Sequence, residues 1–143
     1  MKSYVFTFIL VCIVQFSNAQ SETSLIEKTL KDYIDGSSYN KIPQLESAFT
    51  KDATLYLTTK EGSFARFTPT EYSGFFKNKD AGSFNGRYGK ILAIEIVNDI
   101  ATAKVEISFP EKNMLYIDLF LLKKKDDAWK IISKTATRVD KNN

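Results

Sequence analysis

Residues 87–137 restrict this chain most. They hold four strand-length stretches in which apolar and polar residues alternate, separated by turn sequences. Asn98-Asp99 reads as a two-residue hairpin turn that pairs Val97 with Ile100. Leu92, Ile94 and Ile96 then lie opposite Val105, Ala103 and Ala101, on one apolar face. Glu95, Thr102, Lys104 and Glu106 take the other face. A slip of one residue would exchange the faces, so turn and pattern together fix the register. Across the turn Pro110-Glu111-Lys112-Asn113, Phe109 pairs with Met114. That sets Asp118 opposite Val105, Tyr116 opposite Ile107 and Phe120 opposite Ala103. Asp118 therefore falls on the apolar face. The alternate face of its strand carries Leu115, Ile117, Leu119 and Leu121. A strand apolar on both sides is covered on both sides, here by helices on one and a second subunit on the other.

The preceding half has helical spacing. Leu25/Ile26, Leu30 and Tyr33/Ile34 form one stripe over residues 22–35, with Ser21 or Ser24 as cap and Gly36 as stop. A second helix is predicted over 41–49, capped by Asn40, with Leu45, Ala48 and Phe49 inward. Residues 54–58 and 64–67 read as short strands around Lys60-Glu61-Gly62. Thr68-Pro69-Thr70-Glu71 starts a third helix: Thr68 caps, Pro69 opens the first turn and Glu71 closes a capping box. That helix presents Tyr72, Phe75 and Phe76; residues 78–86 form a polar loop. Asp126-Asp127 turns into a last strand over 128–137, and Lys141-Asn142-Asn143 reads as a frayed tail. Three helices beside a curved, mostly antiparallel sheet make an α+β fold, a cone-shaped half-barrel with a cavity between its layers.

Residues 1–19 read as a cleaved signal peptide: Lys2, an apolar run to Phe16, then Ser17-Asn18-Ala19 before Gln20. The run is too short to span a bilayer, which needs about 20 residues. Residues 20–143 form one domain on this reading, secreted or periplasmic, with no stable membrane anchor after cleavage. The chain has one cysteine, Cys12, inside the leader, and no histidine. That excludes thiol and imidazole chemistry, disulfides and zinc sites built on Cys or His, so no metal and no cofactor is expected. Carboxylates, Lys, Arg, Tyr and hydroxyls remain. Lys123-Lys124-Lys125 faces Asp126-Asp127 and the net charge is only +3, so the basic run reads as a hairpin tip rather than a nucleic-acid site.

Three stretches carry a resemblance: Tyr33-Ile34-Asp35-Gly36, Phe49-Thr50-Lys51-Asp52-Ala53-Thr54-Leu55, and Tyr116 to Leu122 followed by Trp129-Lys130-Ile131-Ile132-Ser133-Lys134. In order and spacing the chain resembles the nuclear transport factor 2-like superfamily, and within it the secreted, SnoaL-like lumazine-binding branch. The resemblance implies a cone-shaped α+β barrel with an apolar pocket and a homodimer formed through the sheet. It covers nearly all of residues 20–143. In ketosteroid isomerase, a member of that superfamily, a general-base Asp follows the Asp-Ala-Thr motif; the count brings Leu57 to that place. Its protonated oxyanion-hole Asp falls at Asp118.

Asp118 is the leading candidate for a functional group. Among Val105, Tyr116 and Phe120 its carboxyl would lose solvent, which raises the pKa and lets it donate or exchange a proton. The structural alternative is an Asp bonded to a hydroxyl or paired with Lys134. If Lys125 pairs with Ala128, Asp118 faces Thr135; with one more loop residue it faces Lys134. Tyr33, Tyr56, Tyr72, Phe76, Tyr116, Phe120 and Trp129 are candidates to line a ligand pocket, with Phe75 beside them; ordinary core packing is the alternative. Arg66 and Arg87 read as solvated surface, or as a mouth for an anionic ligand. The function expected is binding of a small apolar molecule oriented by Asp118 and tyrosine hydroxyls. An isomerase, dehydratase or cyclase using Asp118, or a structural dimerisation module, are the alternatives.

Overall fold

The computed structural model describes residues 22–59 and 61–139. The expected leader over 1–19, Lys60 of the expected turn and the tail from 141 lie outside the described residues. Helix α1 runs over 22–38. Then come α2 (Ile42–Ser47), β1 (Phe49–Thr58), β2 (Phe64–Phe67) and α3 (Pro69–Ser73), with 3-10 turns over Gly74–Phe76 and, later, Pro110–Lys112. Strands β3 (Tyr88–Val97), β4 (Ile100–Phe109), β5 (Met114–Lys125) and β6 (Ala128–Arg138) follow. They form one six-stranded sheet in the order β2-β1-β6-β5-β4-β3. Only β1 and β6 run parallel. The helices pack on one face of this curved sheet, as the α+β reading expects.

Helix α1 is longer than its sequence pattern suggests. Gly36 does not end it; it lets α2 approach. A Cβ on Gly36 would stand 2.4 Å from the Leu45 nitrogen, so only glycine fits there. Ile26, Leu30, Tyr33 and Ile34 are buried, whereas Leu25 is left outside the stripe. Asn40 does not cap α2. It takes φ 56°, and Lys41 is the cap residue instead. The capping box on α3 forms as expected: Glu71 N donates to Thr68 Oγ1, and Thr68 N donates to Glu71 Oε2. The strand over 54–58 begins earlier, at Phe49.

The long hairpins keep most of the expected pairs. Val97 faces Ile100, Ile94 faces Ala103 and Ile96 faces Ala101. Val105 faces Asp118 and Ala103 faces Phe120. Two bulges break the alternation. One at Leu92 makes Ile91, not Leu92, the partner of Val105, and Leu92 turns outward. The other, at Ile132 in β6, lies beyond a tight turn in which Asp126 and Asp127 both take positive φ.

Glu22, at the start of α1, ties the helix to the β5–β6 hairpin. It accepts hydrogen bonds from Lys124 Nζ and Trp129 Nε1, each at 2.7 Å. Those two bonds hold its carboxyl below the ordinary 4.5. A lowered carboxylate pKa contributes stability above its unfolded value and loses it as pH falls through the folded value. Acidification below pH 4.5 is therefore expected to loosen this contact. The emission of Trp129, the sole tryptophan, reports it, and Glu22→Gln should weaken the acid transition.

Candidate functional site

Five polar side chains from five elements meet inside the cone: Tyr33 on α1, Tyr72 on α3, Arg87 just before β3, Asp118 on β5 and Lys134 on β6. All are buried. The Tyr33 hydroxyl is their hub. It donates to Asp118 Oδ2 at 2.6 Å. It accepts from Arg87 Nη2 at 2.8 Å. The Tyr72 hydroxyl stands 2.9 Å away. Tyr33 has one proton, already given to Asp118, so Tyr72 is the donor in that pair. Lys134 Nζ reaches Asp118 Oδ2 at 3.2 Å and Arg87 Nη2 stands 3.8 Å from it.

Local structure explains each placement. The Ile132 bulge decides which side chains of β6 enter the cone. Lys125 pairs with Ala128, the shorter of the two expected turns, yet Asp118 faces Ala136 rather than Thr135. The extra residue turns Ser133 and Thr135 outward and brings Lys134 in, diagonal to Asp118. The ion pair with Lys134 thus forms without the longer loop. Arg87 owes its position to an asparagine clasp. Asn40 Nδ2 donates to Asp80 O and Ser83 O, which folds the 78–86 loop back on α1. Asn85 Nδ2 donates to Ser37 O and Asn40 Oδ1, while Asn85 Oδ1 accepts from Arg87 N. Arg87 is 3% exposed, which overturns the expectation of a solvated surface residue.

Around these groups stand aromatic walls. Phe120 and Phe49 meet the Tyr33 ring edge-on at 5.0 and 5.9 Å, and Phe76 packs on Tyr72. Lys134 Nζ lies within 6.0 Å of the Tyr33, Tyr72 and Phe120 rings, close enough for cation–π attraction. Burial first, then the charge of Asp118, pushes the Tyr33 hydroxyl well above its ordinary 10.0, so it stays a neutral donor. Asp118 faces a phenol, an ammonium and a guanidinium, of which the last two can only donate. Its geometry is that of an acceptor, which corrects the expectation of a donor carboxyl. Arg87 Nη1 is buried without a hydrogen-bond partner. An orphaned donor of this kind costs about 1–3 kcal/mol.

The other candidate residues lie apart. Tyr56 is on the opposite face of the sheet, stacked on Phe64. Tyr116, on the inner face opposite Ile107, packs on Phe109 and has no hydrogen bond to the cluster among the described residues. Trp129 is engaged with Glu22 and accepts from Thr29 Oγ1 at its carbonyl. Phe75 is largely exposed, and Arg66 sits on the edge strand β2. A mostly apolar groove of about 470 Å³ runs along the open face of the sheet, over Tyr56, Thr102, Lys104, Leu119 and Leu121. Phe120 and Lys134 border it; Asp118, Tyr33 and Tyr72 do not.

Solved structures share this fold. An NTF2-like protein of unknown function from Shewanella baltica OS155 is 20% identical, with TM-score 0.73 over 85% of this chain and 96% of that one. An NTF2-like protein of unknown function from Methylobacillus flagellatus KT is 25% identical, with TM-score 0.71 over 83% and 93%. A cystatin-like domain of unknown function from Nostoc punctiforme PCC 73102 is 19% identical, with TM-score 0.65 over 85% and 79%. The fold is therefore NTF2-like. Residues 21–136 match the family described as "Putative lumazine-binding", and the chain belongs to that family. No curated protein matches.

Removing a single partner from a buried ion pair costs about 3–5 kcal/mol. Asp118→Asn would strand two buried cations, whereas Lys134→Met leaves Arg87 and Asp118 matched one to one. Urea denaturation is expected to find Asp118→Asn the less stable variant. The opposite order would show that the carboxylate is not what the cations depend on.

Proposed function

We propose that this domain binds a small molecule between its helices and sheet, with the polar end of the ligand read by Tyr33, Tyr72, Arg87, Asp118 and Lys134. One observation carries the reading: a carboxylate, two cations and two phenols are buried together in an otherwise apolar, aromatic-walled cone. Packing alone would not call for them, because apolar residues fill such a space at equal or lower cost. A few placed polar groups among aromatic walls are one element of a ligand site. The family description points the same way. Isomerase chemistry has less support. Leu57 offers no base, and the Asp118 oxygen that meets Tyr33 also faces two cations.

The open face has a different role in this proposal. Leu119 and Leu121 are each 50% exposed there, beside the groove. A second copy of the chain covers them, giving a homodimer through the sheet. The leader over 1–19 directs export, with cleavage after Ala19.

Native mass spectrometry of protein from its own source tests these points together. The expected result is a dimer of chains beginning at Gln20 that retains a small molecule. Leu121→Glu should give monomers in sedimentation while the ligand stays bound. Chains that carry nothing, from several preparations, would leave the structural-module reading in its place.

A further inference from the structure

The cluster in the cone does not balance in charge. Lys134 and Arg87 are both cations, and Asp118 is the only carboxylate in ion-pair reach of either among the described residues. The phenols do not supply the missing negative charge, since Tyr33 is held neutral by burial and by Asp118. Aromatic faces near Lys134 offer partial charge, not a whole one. Arg87, meanwhile, is 3% exposed and its Nη1 has no partner. One anionic oxygen at Nη1 would answer both the surplus charge and the orphaned donor.

We propose that the molecule held in the cone is an organic anion, with its carboxylate or comparable acidic oxygen taken by Arg87 Nη1 in the field of Lys134. This rests on the binding function proposed above and names the ligand class. Asp118 then acts on the ligand through the two cations that it holds in place. Selectivity follows from charge: a cation meets repulsion, and a neutral molecule leaves Nη1 unanswered.

Benzoate and benzamide test this, because they share shape and differ in charge. Binding is measured by calorimetry and thermal shift at constant ionic strength, so that screening is equal. The expected result is benzoate bound at least about tenfold tighter than benzamide, the margin typical of one charge-assisted hydrogen bond. Arg87→Gln and Lys134→Met each bring the cluster to charge balance, and each should erase that preference. If Arg87→Gln fails to fold by circular dichroism, Lys134→Met carries the test alone. Equal binding of both probes overturns the anion inference and leaves the binding function standing. So does failure of both probes when a neutral molecule is found retained in native mass spectrometry. Failure of both probes with nothing retained overturns the two together.

Discussion

One hydroxyl ties this structure together. Tyr33 Oη is hydrogen-bonded to Tyr72, Arg87 and Asp118, and so joins α1, α3, the start of β3 and β5 at a single buried point. Its donor goes to the carboxylate and its acceptor sites take the guanidinium and the second phenol. Lys134 completes the set by its ion pair with the same carboxylate oxygen. In a low-dielectric interior such a network is costly where a member is missing and rigid where all are present. The helices are thus held over the sheet by polar contacts as well as by Ile26, Leu30, Leu45 and Ile131.

Much of the fold was legible in the residues, because alternation and turn chemistry agreed. Asn98-Asp99 fixed the β3–β4 pairing at Val97 and Ile100, and Phe109 opposite Met114 placed Asp118 on the inner face. Thr68 and Glu71 announced α3. The bulges were hidden because each sits in an unbroken apolar run, Ile91-Leu92-Ala93-Ile94 and Ile131-Ile132, where a change of phase leaves no mark. The doubled isoleucine is the one sign that the strand skips a residue there.

The site was only half legible, for the same physical reason. Asp118, Tyr33, Tyr72 and Phe120 could be placed from pattern. Lys134 could be named as an alternative partner of Asp118, but the Ile132 bulge, not a longer loop, brings it into the cone. Arg87 follows a polar loop and looks like surface until the Asn40–Asn85 contacts fold that loop inward. Tyr56 and Trp129 were drawn in by their size, and Tyr116 by its place opposite Ile107, which the structure keeps; each has its own local partner. Long-range packing separates them from the cluster, and no local pattern encodes that.

Structures about 20% identical share the fold, so it survives wide change in sequence. What the cone holds is a property of its inner residues, and fold alone does not define a function. The account stands on the Tyr33 hydroxyl being shut away from water beside a charged carboxylate. A carbon-13 NMR titration of its ring Cζ measures this directly. The phenol is predicted to stay protonated in the folded protein well past pH 10.0, the ordinary tyrosine value. An ionisation midpoint at that ordinary value would mean an open, hydrated hydroxyl and would contradict the closed cluster described above.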